Sequence, residues 1–99
     1  VSIVYSSFVG NGPSWPYTYS IPNLVAGDIV VAALSYRTSS AANAGSTATN
    51  MDSVWAVATN SNLDIYATVI ESDGTFSTTL NAPKKYQQWS QGIVVLRRN

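Results

Sequence analysis

The sequence predicts an all-β chain, a two-layer antiparallel β-sandwich of jelly-roll or immunoglobulin-like type with about seven or eight short strands. Three observations lead there. Large apolar and small polar residues alternate with period two through most of the chain, as in Tyr17-Thr18-Tyr19-Ser20-Ile21. Turn residues recur at about the 8–12-residue spacing of sandwiches and barrels. No segment carries the three-to-four-residue apolar spacing of a long amphipathic helix.

The elements follow in order. Ser2–Val9 is the first candidate strand, closed by Gly10-Asn11-Gly12-Pro13. Tyr17–Ile21 is a half-buried strand ended by Pro22-Asn23, and Ala26-Gly27-Asp28 is the next turn. Ile29–Leu34 is apolar at both parities, the pattern of a central strand covered on both faces; its β-branched residues and short length favour strand over buried helix. Thr38–Asn50 is small, polar and uncharged, which makes it a long exposed loop. Val54–Thr59 alternates and places Trp55 in the core. In Leu63–Ile70, residues Leu63, Ile65, Ala67 and Val69 share one face and Asp64 takes the outward parity. Asn60-Ser61-Asn62 and Ser72-Asp73-Gly74 read as tight hairpin connections around that strand. Thr75–Leu80 is again half-buried, and Gly92–Leu96 repeats the two-sided apolar character of the central strand. Residues 1–99 thus form one β-sandwich domain with an exposed loop at about 38–50.

Composition narrows the chemistry. Five basic and five acidic residues balance to zero, and charged residues make up 10% of the chain where about 25% is usual. Ser, Thr, Asn and Gln supply about a third. A neutral surface favours association. With no His and no Cys there is no imidazole base, thiolate nucleophile, Cys/His zinc site or disulfide. No apolar run approaches the roughly 18 residues of a membrane span, and the opening VSIVYSSF lacks the basic start of a signal peptide.

The acidic residues do not form a catalytic pair or a calcium loop. Asp28 and Asp73 sit beside glycines in turns, where a short acceptor caps nearby backbone, Asp52 follows the polar loop, and Glu71 ends a strand. The expectation is a non-enzymatic protein with no catalytic, cofactor or metal site.

Rings beside polar side chains mark the candidate contact surface for protein or glycan: Trp15, Tyr17 and Tyr19 in SWPYTYS, Tyr86 and Trp89 in KKYQQWSQ. The same rings also suit the core of a thin sandwich. Lys84-Lys85 and Arg97-Arg98 complete the set, the arginines being able to fork onto carboxylates of a neighbouring chain. A pI near 6.2 argues against a nucleic-acid partner.

The order of pieces, V-S-I-V, Y-x-Y-x-I-P, A-G-D-I-V-V-A-A-L-S-Y-R, L-D-I-Y-A-T-V-I, D-G-T-F-S-T-T-L and G-I-V-V-L-R, resembles small β-sandwich modules of tailed-bacteriophage virion proteins. In those modules a Gly-Asp pair launches the central strand and the last strand ends in Arg. The resemblance implies a cement or decoration protein on the capsid exterior. Its partners would be the major capsid protein or another virion protein, and further copies of itself as dimer or trimer. It attaches no catalytic residue. The alternative is a carbohydrate-binding or host-adhesion module of a tail, fibre or extracellular protein, with Trp15, Tyr17, Tyr86 and Trp89 as a stacking platform.

Overall fold

A computed structural model of the chain describes residues 1–10, 15–38, 45–58, 61–82 and 86–99; of residues 38, 58 and 86–88 only the backbone is described. The chain is all-β. Its strands are β1 (Ser2–Gly10), β2 (Tyr17–Leu24), β3 (Ile29–Thr38), β4 (Thr47–Ala48), β5 (Asp52–Ala58), β6 (Ser61–Val69), β7 (Gly74–Asn81) and β8 (Tyr86–Arg97). They form a five-stranded sheet in the order β1-β8-β3-β6-β5 and a three-stranded sheet in the order β2-β7-β4, both antiparallel. The pairings β1 with β8, β2 with β7 and β3 with β6 are nested, as in one long hairpin rolled into two layers. The nesting stops after three pairs, because β4 pairs with β7 and β5 with β6, so the architecture is a two-layer antiparallel sandwich.

β3 is the axis of the fold. Its Val31 stands between Val94 of β8 and Ala67 of β6, so both its edges are hydrogen-bonded. The inward parity of β3 is Val30, Ala32, Leu34 and Tyr36, all buried. Against it lie Ile93 and Val95 of β8 and, from the three-stranded sheet, Tyr19, Ile21, Leu24 and Leu80. Full burial of each such aliphatic side chain contributes about 1.5–3 kcal/mol.

The structure corrects several expectations. The parity of β6 is opposite to the predicted one: Asn62, Asp64 and Tyr66 are buried, while Leu63, Ile65 and Ala67 are partly exposed and Val69 is exposed. Burial of Asp64 is sustained by hydrogen bonds from neighbouring hydroxyls, whereas the apolar parity faces away from the second sheet. Trp55 is likewise on the outside, 53% exposed, because it pairs with the outward Ile65.

Ser72-Asp73-Gly74 is not a hairpin turn. Both edges of β6 are filled by β3 and β5, so β7 crosses to the other sheet and pairs with β2. The other predicted hairpin is present: β5 and β6 pair antiparallel with Ala58 opposite Asn62, Ser61 and Asn62 being the first residues of β6, while Asn60 lies outside the described residues. The predicted 38–50 loop contains β4, whose Thr47 and Ala48 pair with Asn81 and Leu80, and Ala48 is buried. A two-residue strand held by backbone hydrogen bonds needs no apolar pattern. Residues 39–44 of that segment lie outside the described residues. Pro22 and Asn23 fall inside β2, which continues to Leu24 through a bulge with Asn23 at a φ of 65°. Proline is tolerated there because β2 is an edge strand.

Candidate protein-binding face

The two outer faces of the sandwich have different chemistry. On the three-stranded sheet the outward residues are hydroxylic. Thr18 pairs with Thr79 and Ser20 with Ser77, and the two threonine hydroxyls lie 2.9 Å apart. That face is ordinary solvated antiparallel sheet.

On the five-stranded sheet the outward parity is apolar, and the strand registers align it in rows. One row runs Ile3, Leu96, Ile29, Val69 across β1, β8, β3 and β6. The next runs Ser6, Val94, Val31, Ala67 and ends in Asp52 at the β5 edge. The third runs Phe8, Gly92, Ala33, Ile65, Trp55, and the fourth Gly10, Ser90, Ser35, Leu63, Val57. Among these described residues Asp52 carries the only charge. Phe8 is 80% exposed, Ile3 65% and Val69 58%. Soluble monomers rarely display a contiguous apolar patch larger than about 300–600 Å².

The face has relief. Large rings stand at its two edges, Phe8 on β1 and Trp55 on β5, while Gly92 and Ala33 occupy the middle of the same row. The Phe8 ring leans over Gly92: a Cβ built there would lie 2.5 Å from two ring carbons. Beside it a groove of about 470 Å³ opens along β1, β8 and β3, floored by Ala33, Ser35, Ser90 and Gly92. Its walls are mainly apolar, without the convergent polar groups that orient a small ligand.

The sequence-predicted contact residues are placed elsewhere. Trp15, Tyr19 and Trp89 are buried and Tyr17 is half-buried. Trp15 packs on Trp89 with ring centroids 4.7 Å apart and meets Tyr36 edge-on at 5.6 Å; Tyr17 and Tyr19 are 4.9 Å apart. Gln91 satisfies two of their polar atoms, accepting from the Trp15 indole N–H and donating to the Tyr19 hydroxyl at 2.7 Å. Burial raises the Tyr19 hydroxyl pKa above its ordinary value. Trp15 and Trp89 therefore belong to the interior and present no exposed stacking platform. Lys84, Lys85 and the Tyr86 side chain lie outside what is described.

Arg97 finds a carboxylate within its own chain. Its guanidinium forks onto Asp28 of the same chain, Nε to Oδ1 and Nη2 to Oδ2, both at 2.9 Å, and Nη2 also donates to the Asn23 carbonyl. Arg98 is exposed. Asp28 in turn accepts the Val25 N–H at 2.9 Å. The Arg97 hydrogen bonds, and then that of Val25, hold the Asp28 carboxyl below the usual carboxylate range. Gly27, at a φ of 95°, supplies the turn and donates its N–H to Ile70. The Gly-Asp pair and the terminal arginine thus clasp the β2–β3 turn to the ends of β6 and β8.

A second polar knot lies between the sheets. Tyr36 donates to Asp64 at 2.9 Å and accepts the Gly45 N–H at 2.8 Å; Ser46 bridges Asp64 and Tyr66. Burial pushes the Tyr36 hydroxyl up to about 12, with the Asp64 carboxylate adding to the rise. Every polar group in this knot is engaged with a neighbour, which suits a structural role.

Sequence reasoning did not single out Phe8, Trp55 and Val69 as exposed apolar residues of one face. Their signal was the two-sided apolar character of β3 and β8, since the three-stranded sheet covers one face alone. Comparison of the chain with family models, curated proteins and solved structures gives no match.

Proposed function

We propose that this protein is a non-enzymatic structural subunit of a larger protein assembly, and that the apolar outer face of the five-stranded sheet is an intersubunit contact within it. The observation that carries this reading is the opposition of the two outer faces, one hydroxylic and solvated, the other largely apolar over three registered rows and turning polar in the fourth at Ser90 and Ser35. Water contact over such a face is costly at roughly 25 cal/mol per Å² of apolar surface, and assembly removes that cost. The assembly we propose is the outer capsid surface of a tailed bacteriophage, where many copies act as cement; repetition turns individually weak contacts into a stable coat.

The test is co-sedimentation of the purified protein with empty tailed-phage capsid shells, together with the temperature at which those shells rupture. Binding with a raised rupture temperature is expected. Failure to bind any shell, joined with specific retention on a glycan array, contradicts the proposal and favours the carbohydrate-binding alternative.

A further inference from the structure

Resting on that reading, we infer that the occupant of the apolar face is a second copy of this chain, stacked sheet against sheet about a two-fold axis.

Area is the first argument. Five strands at 4.7–4.9 Å spacing and four rows at two residues each give a face of about 600 Å² in plan before side-chain relief is added. That approaches the roughly 800 Å² per partner of a standard stable interface. A smaller partner, such as a single extended peptide, leaves most of the rows wet.

Charge is the second. A face carrying a like charge at its centre repels its own copy, whereas here the only charge in the described rows is Asp52, at the β5 margin. Arg37 lies one residue pair beyond the fourth row on β3, and Arg98 lies beyond the first row on β8. The polar groups therefore form a rim around an uncharged centre, the anatomy of protein interfaces. The whole chain is neutral, so no long-range repulsion opposes pairing of identical molecules.

Shape is the third. A two-fold contact must be self-complementary, each surface meeting itself. The ring ridges at Phe8 and Trp55 and the groove beside Phe8, floored by Ala33, Ser35 and Ser90, offer that: a ridge of one copy enters the groove of the other. Sheets packed face to face lie about 10 Å apart with strands within about 30° of alignment, and the result is a four-layer dimer. The hydroxylic faces then point outward on both sides.

Analytical ultracentrifugation of the intact chain and of three variants tests the inference, with circular dichroism and melting confirming that each variant folds. Ala33→Arg places a charge in the middle of the face without entering the core. Trp55→Glu removes an edge ridge, and Ser20→Arg alters the opposite, hydroxylic face. A wild-type dimer is expected, with Ala33→Arg and Trp55→Glu raising the dimer dissociation constant roughly 30-fold or more and Ser20→Arg leaving it unchanged. A wild-type chain that stays monomeric up to about 1 mM overturns the inference, as does a dimer that Ala33→Arg and Trp55→Glu leave intact. Shell binding measured on the same samples separates the two claims. Monomers that bind shells overturn the dimer and leave the proposed function standing, whereas dimers that bind no shell support the dimer and count against the function.

Discussion

Asp28 is 1% exposed, yet it is held ionised, because Arg97 donates to both of its oxygens and the Val25 N–H donates to one of them. Its pKa is depressed in the folded state, so its contribution to stability is fully present above the unfolded carboxylate value of about 3.9 and is lost as pH falls through the lower folded value. Melting temperature is therefore expected to drop on acidification below about pH 4. Asp28→Asn is expected to melt lower at pH 7 and to show a flatter acid limb. Thermal melts at several pH values check this, and an unchanged acid limb in the variant contradicts the role given to Asp28. Gly27-Asp28 was the sharpest local signal in the sequence, and its turn chemistry was legible there. The partner was not, because Arg97 is distant in sequence and its outward or inward reach depends on where β8 ends relative to the β2–β3 turn.

At the scale of strands, β3 and β8 were legible as central strands because both parities are apolar and β-branched, but the expected cover on both faces is present on one alone, with Ile29 exposed on the other. β6 and β5 were misread, and for one reason. Pattern reading assigns the apolar parity to the core, but in β6 the core parity is Asn62, Asp64 and Tyr66, while Leu63, Ile65 and Val69 point out. The two strands with the wrong predicted facing are the two that carry half of the apolar outer face. Strand pattern records that a face is apolar without recording whether a second layer covers it. Neighbouring residues of β3 are expected to separate the two kinds of burial. Leu34, fully buried between the sheets, should cost about 2–5 kcal/mol on replacement by Ala. Ala33→Ser, one residue away and outward, is expected to change the stability of the isolated chain by no more than about 0.5 kcal/mol. Urea unfolding of dilute protein measures both. Comparable losses at the two positions contradict the assignment of Ala33 to an outer face.

For the whole molecule, the neutral and charge-poor composition predicted association without indicating a surface for it. Rings beside amides suggested Trp15, Tyr19 and Trp89 as the contact surface, and the fold uses them instead to close the interior of a small sandwich. Large rings are efficient core fillers in a thin domain, which is why composition alone does not distinguish the two uses. The exposed apolar residues instead gather on a surface assembled from five strands, visible only once their registers are known. Hydroxyl-radical footprinting of Phe8 and Trp55 across a dilution series, and on capsid shells, tests that surface most directly. Both rings are expected to be reactive in dilute protein and protected when the protein is concentrated or shell-bound, with Thr18 and Ser20 unchanged throughout. Equal reactivity of Phe8 and Trp55 under all of these conditions contradicts the assignment of this face to protein contact.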